Sequence, residues 1–197
     1  RWYALLRGED IIEAETERRS VSHSHVLPPT QRTDEGVRAV FINLIHKAAF
    51  RLRRLGCLTR KMIVGIDYFG EHKSWRKGID IDLKNDTQTM IEAFTGAWGG
   101  RPRGRKPLRV SVAFIDLVPA GESTLPLLPA ERRRDNVAAA LDRINDKFGT
   151  NSIYYGSMHR ASEAAPLRIS FTSIPDVIKP KKPLRVPEEK KTKPRRP

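Results

Sequence analysis

The order of elements in this sequence predicts an α+β fold of the split β-α-β kind, β-α-β-β-α-β. It would have one four-stranded sheet, two helices on one face, a C-terminal helix and a disordered tail. Three observations carry the prediction. Apolar residues recur at three- and four-residue steps from Val37 to Leu55, which makes one face of a helix apolar. Residues 74–83 and 108–114 alternate apolar with polar side chains, as half-buried strands do. From Pro175 onward the chain is mainly Pro, Lys and Arg, with too little apolar material to fold.

Each element has its own local reason. Ser20 to Leu27 is short and β-tolerant, and Pro28-Pro29 ends it in a turn. Thr33 is the expected N-cap of the first helix, Asp34 and Glu35 complement its dipole, and Gly56 stops it. Lys61 to Phe69 reads as a strand, Gly70-Glu71-His72 as a turn, and the alternating stretch after it as the second arm of a hairpin. On that second arm Trp75, Lys77, Ile79, Ile81 and Leu83 share one face, and Arg76, Gly78, Asp80 and Asp82 the other. Asn85-Asp86 begins a second helix closed by Gly99-Gly100, and Leu108 to Phe114 is the fourth strand. A third helix over 130–148 directs Val137, Leu141, Ile144 and Phe148 inward. The expected organisation is a segment 1–8, a linker 9–19, a domain 20–118, an extension 119–173 and a basic tail 174–197.

Composition narrows the partners. The 197 residues are 39% hydrophobic and 30% charged, enough for one core, and the net charge is +14. Such a surplus favours a polyanion: DNA, RNA or an acidic membrane surface. Six Lys and three Arg against two Glu lie between Lys179 and Pro197, so half of the +14 sits in the last 19 residues. Cys57 is the only cysteine, which excludes an internal disulfide and fits a cytoplasmic location. No run of 18 apolar residues and no signal peptide is visible, and the start at Arg1-Trp2-Tyr3 suggests a piece of a longer protein.

Candidate chemistry is sparse. Asp80 and Asp82 share a strand face and are the right residue type for Mg²⁺; the alternative is a solvated face balancing basic neighbours. His23 and His25 share a face too, without further ligands nearby, and Cys57 reads as a packing residue. The uncovered sheet face is more informative. Ser20, Ser22, Ser24, Arg76, Gly78, Arg109 and Ser111 are small, hydroxylic or cationic. Small residues let a phosphate approach peptide N–H groups, and hydroxyls and guanidiniums add hydrogen bonds. No surface aromatic cluster is expected, which argues against base stacking and for backbone contact.

Several residues carry a resemblance. Leu5-Leu6-Arg7-Gly8-Glu9-Asp10, Ser20-Val21-Ser22-His23-Ser24-His25-Val26-Leu27-Pro28-Pro29, the helix end Arg53-Arg54-Leu55-Gly56, and the strand Leu108 to Val112 with Asp116-Leu117-Val118 resemble the C-terminal part of Y-family translesion DNA polymerases. Residues 140–149 resemble the tail of UmuC-like (impB/mucB/samB) members. The resemblance implies that residues 1–8 end a thumb and 20–118 form a "little finger" that lies on duplex phosphates. It places the catalytic carboxylates and Mg²⁺ in a separate palm whose motifs this chain lacks; no cofactor is expected in the chain itself. The implied function is the DNA-binding part of an error-prone polymerase acting in translesion synthesis, DNA repair and the SOS response. The expected DNA-binding residues are Ser20, Ser22, His23, Ser24, Arg76, Lys77 and Arg109, flanked by Arg60 and Lys61. Leu125, Leu127 and Leu128 stand where such polymerases carry a sliding-clamp peptide, although Gln and an aromatic end are missing. Two other readings stay open: a non-catalytic adaptor that recruits a clamp, and a ferredoxin-like metal enzyme using Asp80 and Asp82.

Overall fold

Seven main elements follow one another in the computed structural model: β1 (Ser20–Val26), α1 (Asp34–Arg54), β2 (Cys57–Tyr68), β3 (Trp75–Lys84), α2 (Thr87–Ala97), β4 (Pro107–Pro119) and α3 (Pro129–Phe148). The structure describes residues 3, 6–8, 19–70, 74–124 and 128–161. The expected linker over residues 9–18, the apolar segment 167–171 and the basic tail lie outside those residues, as does most of segment 1–8.

The sheet order is β1-β4-β2-β3, and every neighbouring pair is antiparallel. It follows that β1 and β2 run parallel with β4 between them, and β3 and β4 run parallel with β2 between them. Both β-α-β units are therefore split, and they interlock as the element order predicts.

The helix starts are capped by the expected side chains. Thr33 accepts a hydrogen bond from the Gly36 amide at 3.1 Å, and Asp86 accepts one from the Thr89 amide at 2.8 Å. Gly36 is required there, because a Cβ would stand 2.7 Å from the Gln31 carbonyl oxygen in the turn just before the helix. Gly56, at φ 64, turns the chain from α1 into β2.

One face of the sheet carries the core. Val21, Met62, Val64, Ile66, Tyr68, Ile81, Val110, Val112 and Phe114 are buried there, under Val37, Val40, Phe41, Leu44, Ile45, Ala48 and Leu52 of α1 and Met90 and Phe94 of α2. The two helices meet through rings: Phe41 and Phe94 are 5.0 Å apart and Trp98 stands 5.4 Å from Phe94. Arg101 lies over Trp98 at 3.8 Å and pairs with Asp34 at 2.5 Å, which ties the end of α2 to the start of α1.

One expectation about the C-terminal region changes. Val137, Ile144 and Phe148 do not face inward; they are 45%, 37% and 58% exposed, and Leu141 is half-buried. The helix docks through a different stripe. Arg53 holds Asp142 with two hydrogen bonds of 2.6 and 2.8 Å, Lys84 pairs with Glu131 at 2.9 Å, and Arg134 pairs with Glu92 at 2.7 Å. Ala138 and Asn145 are the buried residues of that stripe. Polar partners on α1, β3 and α2 therefore line the docked side of the helix, and most of its apolar stripe stays at the surface. The residues after 150 also find a place: Met158 and Ala161 are buried, and Asn43 donates to the Ala161 carbonyl at 2.6 Å. No helix among the described residues is long and apolar enough to cross a membrane.

Candidate nucleic-acid interface

The register of the three ladders arranges the uncovered face into rows running from β1 to β3. They are Ser20–Ile115–Lys61–Asp80, Ser22–Ala113–Ile63–Gly78 and Ser24–Ser111–Gly65–Arg76. A fourth, shorter row is Val26–Arg109–Asp67. The first three rows begin with a serine at the β1 edge, and the two middle rows contain nothing large except Ile63 and Arg76.

The long cations lie flat. A Cβ on Gly65 would meet the Arg76 Cδ at 2.6 Å and Nη1 at 2.7 Å, so the Arg76 stem covers the bare backbone of Gly65. Lys61 lies over Gly78 in the same manner, its Cε 3.4 Å from where a Cβ would stand, and its ammonium is 3.7 Å from Asp80. From its position across Gly65, Arg76 donates to Asp67 Oδ1 at 2.7 Å, while Arg109 donates to Asp67 Oδ2 at 2.6 Å. Asp67 thus clamps two guanidiniums from different strands. Desolvation pushes its carboxyl up, but hydrogen bonds from Arg76 and Arg109 and their charges prevail and hold it below the usual carboxylate range.

Charge on this face is balanced. Lys61, Arg76 and Arg109 stand with Asp67, Asp80 and Asp82. The surplus lies at the end of the sheet, where residues 100–107 contain Arg101, Arg103, Arg105 and Lys106 and no acidic residue. Arg105 and Lys106 approach the rings of Tyr68 and Phe69 at 5.7 and 5.8 Å.

The expected site residues separate into two groups. Ser20, Ser22, Ser24, Lys61, Arg76 and Arg109 share the open face. His23 and Lys77 do not. Strand alternation puts Lys77 opposite Val64 on the helix side of the edge strand β3, and puts His23 opposite Val112 under α1. Burial, then the charges of Arg51 and Lys47, lower the His23 pKa to about 4, so its ring is neutral at pH 7 and directed away from any ligand of the open face. Arg60 is exposed, at the register shift between Thr59 and Lys61. Leu125 and Leu127 lie outside the described residues; Leu128 is exposed just before α3. Asp80 and Asp82 are exposed, and among the described residues no group of three or more His, Cys, Asp or Glu is placed to hold a metal ion.

Asp67 is absent from the residues expected from sequence. The signal for it is present all the same: once Lys61 faces outward, alternation brings Ile63, Gly65 and Asp67 to the same side. Phe69 reads in the sequence as an ordinary strand end, and it is 60% exposed.

The fold and this face define a single-sheet α+β module with one helix-covered side and one open side bearing small and cationic residues. The chain belongs to the impB/mucB/samB family: residues 18–127 match that family's C-terminal domain. It is thereby a UmuC-like C-terminal domain of the Y-family polymerases, as the sequence resemblance implied. Among solved structures it is similar to the little finger domain in a complex of the beta-clamp processivity factor with that domain of PolIV. The identity is 16%, the TM-score 0.42, and the match covers 55% of this chain and 97% of that one. It is also similar to a Y-family DNA polymerase chimera at 15% identity and TM-score 0.40, over 59% of this chain; it spans only 34% of the chimera's length. No curated protein matches it.

Proposed function

We propose that this chain is the DNA-binding portion of a translesion polymerase and lies on the phosphate backbone of a primer–template duplex with its open sheet face. The observation that carries the reading is the flatness of that face. Ser20, Ser22 and Ser24 line the β1 edge, and Gly65 and Gly78 allow Arg76 and Lys61 to lie down rather than stand up. A phosphate chain can then reach strand backbone and hydroxyls together. Among the described residues β1 pairs with β4 alone, so alternate N–H groups on its outer side face solvent. Arg109, half-exposed and fixed by Asp67, presents its remaining N–H groups beside Ser24 and Ser111. Contact of this kind carries little base information, so binding is sequence-independent and weakens with salt as counterions are released.

The test is duplex binding by Ser24→Asp and by Arg109→Ala. The aspartate sets a negative charge among the phosphate contacts and is expected to lower affinity about tenfold or more. Arg109→Ala costs about 1.5–3 kcal/mol, as loss of a hydrogen bond to a charged group does. Unchanged affinity in both variants contradicts the reading. Nucleotide insertion opposite damaged template, and the Mg²⁺ it requires, belong on this proposal to a palm outside the described domain. A sliding clamp is the second proposed partner, supported by the exposure of Leu128 at the entry to α3; loss of clamp binding in Leu127→Ala with DNA binding retained is its test.

A further inference from the structure

We infer that Phe69 is a stacking platform for one unpaired base, flanked by cations that take the neighbouring phosphates. The inference rests on the proposed nucleic-acid role and adds a second kind of contact to it. Phe69 stands immediately after β2, at the end of the sheet beside the basic loop 100–107. Its amide donates to the Lys106 carbonyl at 2.8 Å, which fixes the backbone that carries the ring. Gly70, at φ 72, then turns the chain, a conformation that favours glycine. The ring is left 60% exposed, so most of the free energy available from burying a phenylalanine is forgone at this position.

Single exposed apolar residues are ordinary on protein surfaces. The surroundings distinguish this one. The Arg32 guanidinium, from the turn before α1, and the Lys106 ammonium, from the loop before β4, stand 5.9 and 5.8 Å from the ring centroid. Those distances lie at the outer limit of cation–π contact, so both cations are near the ring without covering it closely. Arg32 is itself held by donating to the Leu27 carbonyl at 3.0 Å. An aromatic face between two cations held on different segments fits a nucleotide: base on the ring, phosphates on the cations. A duplex backbone offers the cations a partner but leaves the ring unused, because its bases are stacked on one another. An unpaired stretch of template satisfies both.

The experiment compares two single-stranded 12-mers of equal charge, one with bases and one carrying abasic sites, binding to the full chain by fluorescence anisotropy. Basic groups elsewhere in the chain meet the same phosphates in both strands, so the ratio of the two affinities isolates base contact. The unaltered chain prefers the base-bearing strand by about tenfold, the usual yield of one stacked base. Phe69→Ala removes the preference, Phe69→Trp restores it, and Phe69→Leu, equally apolar, does not. Duplex affinity is the same in all four proteins. An unaltered chain without preference, or a preference that survives Phe69→Ala, overturns the inference while leaving duplex binding intact. Failure to bind duplex as well overturns the proposed function together with it.

Discussion

The two faces of one sheet treat ionisable groups in opposite ways. On the helix-covered side, in β1 and in α1 itself, desolvation dominates: His23 and His46 are lowered to about 4 and Lys47 to about 8, burial being the largest cause each time. On the open face, pairing dominates: Asp67 keeps its charge because Arg76 and Arg109 hold it, and all three remain in reach of solvent. The lesson is that a basic residue close to a predicted binding strand is not thereby a binding residue. The side of the pleat on which it falls decides whether its charge survives or is presented to a ligand.

Acid separates the two faces with the largest expected effect. For His23 and His46 the unfolded chain binds protons near pH 6.5 while the folded chain resists until about pH 4. Stability is therefore full above pH 6.5 and falls between 6.5 and 4, by a few kcal/mol from the pair. Asp67 has the opposite sign of charge and a lower window: its contribution is present above about pH 3.8 and is lost only below that. Thermal melts from pH 7 to pH 3 are expected to show the first loss without the second until the lowest pH. His46→Gln shrinks the upper step, and Asp67→Asn leaves it unchanged.

Next in size is the glycine under Arg76. Gly65→Val lifts Arg76 from the sheet and breaks its exposed pair with Asp67; the displaced atoms end a flexible side chain and valine suits a strand, so thermal unfolding shifts by less than about 1 kcal/mol. Duplex affinity then falls to the level of Arg76→Ala. If the valine variant binds as well as the unaltered chain, the flat arrangement is irrelevant to contact.

Much of the fold is legible in the sequence. Thr33, Asp86 and Gly56 mark helix ends, and alternation assigns both sides of β3 correctly from Trp75 to Asp80, before the register shifts. Ser20, Ser22 and Ser24 come together for the same reason. What is not legible depends on contacts between distant segments. The α3 stripe that docks is chosen by Arg53, Lys84 and Glu92, which lie on three other elements. Arg76 and Arg109 look like independent cations because Asp67, nine residues from the one and 42 from the other, joins them only in the folded sheet. Grouping His23 with the serines fails for a simpler reason: adjacent strand residues point to opposite faces, a constraint the sequence already contains.

Smaller effects distinguish the balanced face from the sheet end. Arg103→Glu with Arg105→Glu is expected to weaken duplex binding about tenfold and to reduce the salt slope by about two, one for each phosphate that an arginine neutralises. Asp80→Asn with Asp82→Asn removes negative charge from the face and tightens binding only about two- to threefold, with stability unchanged within about 0.5 kcal/mol. If the asparagine pair raises affinity by a larger factor than the glutamate pair lowers it, the ranking of the two regions is reversed.

The measurement closest to the central claim is a salt titration of duplex binding by the chain ended at Ile174, compared with the full chain. Six of the fourteen net positive charges leave with the tail. The account predicts weaker but persistent, sequence-independent binding that still declines linearly on a logarithmic salt scale and falls further in Arg109→Ala. Binding that vanishes with the tail, at low salt as well as high, contradicts it and leaves the open sheet face without a role.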